Sequence, residues 1–168
     1  MALREIITIP NLTLRKKARK VTDFGKDFQE LVTDMIDTVR DAPGVGLAAP
    51  QVSESLRVIV VEFGDEEDGE KPKKLYVVAN PELINASEDM VIGVEGCLSV
   101  PELVGEVERH NAIVVKGQNR FGKPTKIKAS GWLARIFQHE MDHLDGVLYP
   151  DRALRVWKPA PDEEIPLD

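Results

Sequence analysis

The segment His139-Glu140-Met141-Asp142-His143 has the residue types and the spacing of a hydrolytic metal site. On a helix, residues four apart lie on the same face, so both imidazoles could reach one metal ion. Glu140 would lie beside that ion, where its carboxylate could take a proton from a water molecule that the metal activates. The pattern therefore predicts two metal ligands and a general base. The alternative interpretation is a charged helix face with two exposed histidines.

A catalytic metal site with an open position needs a third protein ligand. Downstream of His143 the chain has no histidine, and its acidic residues are Asp145, which is too close in sequence, Asp151 and those of the C-terminal tail. Upstream lies Cys97, the single cysteine, flanked by a glycine and followed by a polar serine. A thiolate is a strong ligand for a borderline metal. We therefore predict Cys97 as the third ligand and interpret His110 as a surface histidine.

Two helices and several short strands are predicted to position these residues. Apolar residues spaced three and four apart over Asp27–Arg40 predict an N-terminal amphipathic helix with one buried face. A second helix, which carries the histidines, is predicted to begin after Ser130 as N-cap and to end near Gly146. Helices separated by short strands indicate a single α+β domain. Runs rich in β-branched residues predict strands at Arg57–Phe63, Leu75–Ala79, Ala112–Lys116 and Thr125–Ala129.

Composition limits the classes of function. The 168 residues carry a net charge of −7, which disfavours direct binding to nucleic acid, and the basic run Arg15–Lys20 is interpreted as a solvated surface. The sequence has neither an apolar run long enough to cross a membrane nor a signal peptide, so we expect a cytoplasmic protein. Residues 1–152 are expected to form the catalytic domain. Residues 153–168 are expected to form an acidic, proline-containing, mobile tail.

Three segments together resemble the signature motifs of peptide deformylases: Gly44–Gln51 (GVGLAAPQ), Glu95–Ser99 (EGCLS) and Gln138–Gly146 (QHEMDHLDG). They occur in the order of that family, and the similarity extends over Ile6–Arg152. The HExxH pattern alone would be a weak match, whereas the three motifs together are specific. The resemblance implies an α+β domain in which short antiparallel or mixed strands pack around a central HExxH helix.

The resemblance also implies an activity. It implies a metallohydrolase that removes the N-formyl group from the N-terminal methionine of newly made polypeptides and releases formate. Cys97, His139 and His143 would hold one divalent ion, expected to be Fe²⁺, with Zn²⁺, Ni²⁺ or Co²⁺ as alternatives in the purified protein. Glu140 would act as general base and acid. The partners would be formyl-methionyl nascent peptides, with transient proximity to the ribosome.

Further residues receive roles from the same resemblance. Gln51 and the backbone N–H of Leu98 would hold the formyl oxygen, which becomes an oxyanion when it is attacked. The backbone of Gly46 would pair with an extended peptide.

Trp132 and Ile136 share a helix face with the two histidines, so they are expected to flank a pocket for the methionine side chain, which Val45 and Leu98 could close. Ordinary core packing is an equal alternative for each of these four residues. Arg109 is expected to contact the substrate at the rim.

Three polar residues are expected to support the site from behind. Glu95 is expected to bond the backbone or Arg109, Gln138 to orient a loop, and Asp142 either to hold a ligand histidine or, as we prefer, to be a surface acid. Two alternatives to the main hypothesis remain at this point. One is a zinc endopeptidase of the HExxH type, which would have a third ligand after His143, and the other is a non-catalytic, metal-binding homologue.

Overall fold

The computed structural model describes residues 2–64 and 73–161. Within them the chain forms three α-helices and eight strands, together with two short 3-10 helices at Leu12–Arg15 and Ala49–Val52. The α-helices are α1 (Lys26–Asp41), α2 (Gly131–Leu144) and α3 (Tyr149–Arg152). The strands are β1 (Gly46–Ala48), β2 (Val58–Phe63), β3 (Lys74–Ala86), β4 (Met90–Cys97), β5 (Val100–His110), β6 (Ala112–Gln118), β7 (Pro124–Ser130) and β8 (Arg155–Trp157).

The strands form two antiparallel sheets. One has five strands in the order β1-β2-β3-β6-β7, and the other has three in the order β4-β5-β8. Helix α2 packs against strands of both sheets, and its buried residues join a core cluster formed with β2, β3, β6 and β7. The predicted α+β fold around a central helix is therefore confirmed, and the sheets are antiparallel throughout.

Both long helices follow the predicted apolar periodicity. The apolar residues that predicted the first helix are all buried in α1, against β1 and β2: Phe28, Leu31, Val32, Met35, Ile36 and Val39. Ser130 is the N-cap residue of α2, although its side chain does not cap the helix. Gly146 has a φ of +75°, and a Cβ there would collide with the backbone of Arg15. The chain can therefore turn sharply after α2 only because position 146 is a glycine.

The strand predictions were incomplete. Strand β3 continues to Ala86, past Pro81, because its pairing with β6 shifts register on both sides of Glu82 and so accommodates the proline. Strands β1, β4 and β5 were not predicted. Strand β1 has only three residues, and β5 contains Pro101, while β4 exposes three successive apolar residues instead of alternating. None of these segments shows the period of two that reveals a strand.

The expectation of a mobile tail was wrong for Arg155–Trp157, which form β8 and pair antiparallel with β5. The N–H of Leu154 also donates to the carbonyl of Glu106 at 2.8 Å. A strand of three residues is too short to be read from periodicity. Residues 162–168, with the four acidic residues of the tail, lie outside the described residues. None of the described helices is long and apolar enough to cross a membrane.

Candidate active site

Cys97, His139 and His143 come together between β4 and α2. Their ligand atoms lie within 4.8 Å of one another, and all three side chains are buried. The Sγ atom of Cys97 is 3.5 Å from Nε2 of His143. The histidines are one turn apart on α2, whereas Cys97 ends β4, which places a thiol from one sheet beside two imidazoles from the helix.

This donor set fits a borderline divalent metal ion. A tetrahedral ion with a metal–sulfur distance of about 2.3 Å and metal–nitrogen distances of about 2.0–2.1 Å keeps those two atoms about 3.6 Å apart. The observed separation of 3.5 Å between Cys97 and His143 agrees with that spacing. One thiol and two imidazoles leave a position open for substrate or water, as catalytic sites require.

Glu95 fixes the orientation of His139. Its Oε1 atom lies 2.9 Å from Nδ1 of the imidazole. Burial alone would raise the pKa of Glu95, but hydrogen bonds from Arg109 and His139 outweigh it and hold that pKa well below its usual range. Glu95 is therefore ionised, so Nδ1 of His139 donates to it and Nε2 carries the lone pair that a metal ion can use.

Arg109 is buried and bonds both oxygens of Glu95, at 2.9 Å through Nε and at 2.8 Å through Nη2. Its Nη1 atom donates to Asp142 at 2.6 Å. Although burial opposes its charge, the two carboxylates hold the pKa of Arg109 above its usual range. The expected rim contact between Arg109 and the substrate does not agree with this placement, because the guanidinium is covered and engaged by the two acids. The alternative bond from Glu95 to Arg109 was the better expectation.

Asp142 differs from both expectations. Its carboxylate accepts hydrogen bonds from Arg109 at 2.6 Å and from Arg152 at 2.7 Å, and it is largely covered. It therefore holds Arg109, and through it Glu95, instead of being a surface acid or holding a ligand histidine. Gln138 accepts from the backbone N–H of His110 and donates to its carbonyl, which fastens the end of β5 to α2.

Glu140 is fully buried, and its carboxylate lies directly against the backbone of Gly46. A Cβ at position 46 would be 2.5 Å from Oε2 of Glu140 and 3.0 Å from its Cδ. Gly46 belongs to β1, the last strand at one end of the five-stranded sheet. Gly46 thus makes room for the carboxylate of Glu140 at the edge of the sheet. Glu140 directly follows His139, the first histidine of the candidate metal site.

The amide of Gln51 is held by both of its ends. Its Oε1 atom accepts from the backbone N–H of Ala48 at 3.0 Å, and its Nε2 atom donates to Oγ of Ser99 at 3.1 Å. The same Nε2 atom lies 3.8 Å from Sγ of Cys97. Since Oε1 is occupied by Ala48, the N–H side of the amide must face the metal cluster. Gln51 is therefore oriented as a hydrogen-bond donor at that cluster.

The residues predicted for a substrate pocket are only partly exposed. Leu98 is in the turn between β4 and β5, directly after Cys97, and is half-buried. Ile136 is buried in the core, with Val45 packed against the same cluster. Trp132 lies on the same face of α2 and is 38% exposed. The structure thus places Trp132 at the surface and Ile136 in the core.

Comparison with known proteins extends these findings. The family model described as Polypeptide deformylase matches residues 3–158. This chain belongs to the polypeptide deformylase family. Members of the family are metal-dependent hydrolases that act on formylated nascent peptides, and the chain is accordingly an enzyme with a metal-binding cluster.

Individual relatives agree over most of their length. A peptide deformylase of Symbiobacterium thermophilum is 48% identical over 98% of this chain and 73% of its own. The crystal structure of peptide deformylase from Thermotoga maritima is 38% identical and superposes with a TM-score of 0.84, over 91% of this chain and 99% of that one. That from Ehrlichia chaffeensis in complex with actinonin is 34% identical with a TM-score of 0.86, covering 92% of this chain and 91% of that one.

Sequence reasoning missed two residues that touch the site. Ser99 is fully buried and accepts the hydrogen bond from Gln51. Its position in EGCLS, two residues after Cys97, could have indicated this contact, but the prediction used only the fact that Ser99 is polar. Arg135 is buried and donates to Glu95 at 2.6 Å. It lies one helical turn before His139, so the spacing of four was available as a signal. A charged residue in an amphipathic helix is usually solvated, which is why the pattern did not reveal it.

Proposed function

We propose that this enzyme removes the N-formyl group from the N-terminal methionine of newly made polypeptides and releases formate. The observation that carries the proposal is the grouping of a thiol and two imidazoles next to a buried carboxylate and an oriented amide. This set contains the parts that hydrolysis of a formamide requires: metal ligands, a proton carrier and an oxyanion donor.

We propose that Cys97, His139 and His143 are the metal ligands and that Fe²⁺ is the resident ion, with Zn²⁺, Ni²⁺ or Co²⁺ able to replace it. A divalent ion held there would supply a Lewis acid that lowers the pKa of water at the site. The thiolate and two neutral imidazoles suit any of these borderline metals. A ferrous site with a thiolate ligand is expected to be sensitive to oxygen, because both the metal and the sulfur oxidise.

Glu140 would carry the proton. Its buried carboxylate would accept a proton from the attacking water and return it to the leaving amine, a role worth about 10²–10⁴-fold in rate. Gln51 Nε2 and the backbone N–H of Leu98 would donate to the formyl oxygen as it becomes an oxyanion. One such donor is worth about 2.7–4 kcal/mol, provided that its position is fixed in advance, as the bond from Ala48 to Gln51 fixes it here.

The substrate backbone would lie along β1. This strand is at one end of its sheet, so an extended peptide could add to it beside Gly46, where no side chain intervenes. The methionine side chain would enter next to Val45, Leu98 and Ile136, with Trp132 covering its outer end. Because the substrates are nascent chains, we propose that the enzyme acts in the cytoplasm with only transient proximity to the ribosome.

The test is formate release from a formyl-methionyl tripeptide by protein purified without oxygen, with metal content measured on the same sample. We expect the iron- or cobalt-loaded protein to release one formate per peptide and to leave the peptide bonds intact. Glu140→Ala should keep the metal and lose about 10²–10⁴-fold in kcat, whereas Cys97→Ser should lose the metal.

Glu108→Ala is a matched control, because it removes an exposed acid from β5. It should behave as the wild type. A metal-loaded protein that releases no formate would refute the proposal, and cleavage of internal peptide bonds with metal retained in Cys97→Ser would favour an endopeptidase instead.

A further inference from the structure

Strand β4 meets one face of α2 in an ordered series of contacts. Alternate residues of a strand point to the same side, and every fourth residue of a helix lies on the same stripe. Here three such positions on the strand oppose three on the helix, in the same order along the chain. The contacts are Gly93 with Arg135, Glu95 with Arg135 and His139, and Cys97 with His143.

The two spacings agree closely. Two residues of a strand advance by about 6.6 Å, and four residues of a helix advance by about 6.0 Å. The mismatch of about 0.6 Å is small enough for side chains to absorb between Gly93 and Glu95. Between Glu95 and Cys97 the pairing of β4 with β5 shifts register, so this last step is an irregular one. The helix and the strand can therefore run side by side over the first two contacts, which aligns Glu95 with His139. Cys97 follows after the irregular step and reaches His143, one helical turn further on.

Arg135 makes the first contact in this series. Its Nη1 atom donates to Oε2 of Glu95 at 2.6 Å and to the carbonyl of Val107 at 2.9 Å, while Nη2 donates to the carbonyl of Val91 at 2.6 Å. The guanidinium is buried and reaches both strands of the β4–β5 hairpin. It is also 5.6 Å from the ring centre of Trp132. One helix side chain thus fastens α2 to two strands at once.

Gly93 provides the space for that guanidinium. A Cβ at position 93 would be 2.8 Å from Cζ of Arg135, 2.9 Å from Nε and 3.0 Å from Nη2. Side-chain atoms do not approach so closely, so any residue larger than glycine would displace the guanidinium. That displacement would strain or break the three hydrogen bonds of Arg135, a cost that the end of an exposed side chain would not have.

The carboxylate of Glu95 is fully used. Oε1 accepts from Arg109 and His139, and Oε2 accepts from Arg109 and Arg135, which fills about four acceptor positions. Arg109 belongs to β5, in the same hairpin as Glu95, so its bonds hold the carboxylate within the hairpin. The bond from Arg135 instead joins the carboxylate to the helix that carries both histidines.

We propose that Arg135, seated on Gly93, is a positioning residue that sets the register of α2 against β4. It thereby holds His139 and His143 within reach of Cys97 before a metal ion binds. This inference rests on the proposed role of those three residues as metal ligands. A residue that only stabilised the fold would change the melting temperature and leave the metal site unaltered once the protein is folded.

The test is titration of metal-free protein with Co²⁺, followed by the visible and near-ultraviolet spectrum, for the wild type, Arg135→Met, Gly93→Ala and the double variant. We expect each single variant to bind Co²⁺ about 10-fold or more weakly, as loss of a group behind a metal ligand usually does. Its ligand-field bands should also shift, while the thiolate charge-transfer band of Cys97 remains. In the double variant the added methyl group no longer meets a guanidinium, so Gly93→Ala should cost little beyond Arg135→Met.

Two control variants distinguish a change in the register of α2 against β4 from a general effect of substitution on Co²⁺ binding. Arg40→Met removes an exposed arginine that pairs with Glu62 on another face, and Ile92→Ala shortens an exposed side chain next to Gly93 on β4. Both should bind Co²⁺ as the wild type does. If Arg135→Met does not fold, Gly93→Ala and Arg135→Lys decide the matter, and the lysine variant should recover only part of the affinity because it lacks the planar fork.

The inference is overturned if folded Arg135→Met or Gly93→Ala binds Co²⁺ with the affinity and spectrum of the wild type. Fully additive losses in the double variant would also overturn it. None of these measurements of Co²⁺ affinity and spectrum depends on formate release. A protein that binds Co²⁺ as described and does not deformylate would refute the proposed function and leave the register inference standing.

Discussion

Gly46→Ala should slow the chemical step while leaving the metal site intact. The added Cβ would be 2.5 Å from Oε2 of Glu140, whereas ordinary contacts begin at 3.4 Å, so the carboxylate would have to move by about 0.9 Å. Its buried surroundings offer little room for that movement. The backbone of Gly46 does not have a positive φ, so alanine is compatible with the strand itself.

The size of the effect follows from the role of the carboxylate. A misplacement of about 1 Å at a reacting group can cost 10²-fold, and a general base contributes about 10²–10⁴-fold in all. We therefore expect kcat to fall about 10²-fold, or about 2.7 kcal/mol. The KM for a formyl-methionyl peptide should change little, because alanine keeps the N–H and carbonyl groups that would pair with the substrate. The activity of Gly46→Ala should stay above that of Glu140→Ala.

The assay is steady-state formate release by the cobalt-loaded protein, with metal content measured on each sample. Gly25→Ala is the matched control, since its Cβ would be 2.9 Å from a carboxylate oxygen of Asp23, which is exposed and can move into solvent. It should keep the wild-type kcat. The reasoning fails if Gly46→Ala keeps that kcat too, or if the whole loss appears in KM.

Two other perturbations test separate parts of the structure. Gln51→Ala should lower kcat by about 10²–10³-fold with the metal retained, whereas loss of metal would show that its amide supports Cys97 and not the oxyanion. A hydrogen bond from the backbone N–H of Ala2, with a further bond from the side chain of Arg4, lowers the pKa of Asp34 below its ordinary 3.8. Asp34 therefore stabilises the fold above that pH, and the contribution is lost as the pH falls through the lowered folded-state pKa. The free energy of unfolding of Asp34→Asn, measured against pH, should fall less steeply below about pH 4 than that of the wild type.

The chemistry of the site could be predicted because it is written locally in the sequence. The HExxH spacing and a single cysteine without an evident core role were enough to predict which side chains meet, and Cys97 does lie with His139 and His143. The long helices could be predicted for a related reason, since a period of 3.6 over fourteen or more residues is a strong signal.

What could not be predicted depends on contacts between distant segments. Arg109 and Asp142 are 33 residues apart in the sequence, and nothing in either local segment indicates that their side chains form a hydrogen bond. Arg109 was expected at the rim of the substrate site and Asp142 at the surface, because charged residues are mostly exposed. The pairing of β4 with β5 was missed for a similar reason. Strand β4 exposes successive apolar residues and has Gly93 where α2 approaches, whereas β5 is interrupted by Pro101 and Gly105, so neither shows a clean alternation.

The N-terminal segment shows how far such contacts extend the site. The backbone N–H of Ile7 donates to the carbonyl of Gln51 at 2.8 Å, and that of Ile9 donates to the carbonyl of Ser99 at 3.0 Å. The side chains of Gln51 and Ser99 are themselves bonded at 3.1 Å. Gln51 follows β1 of one sheet, and Ser99 lies in the turn after β4 of the other. The N–H groups of Ile7 and Ile9 therefore connect the two sheets at the point where Gln51, the proposed oxyanion donor, lies next to Cys97. A shift of either sheet would move Gln51 relative to Cys97 and the two histidines.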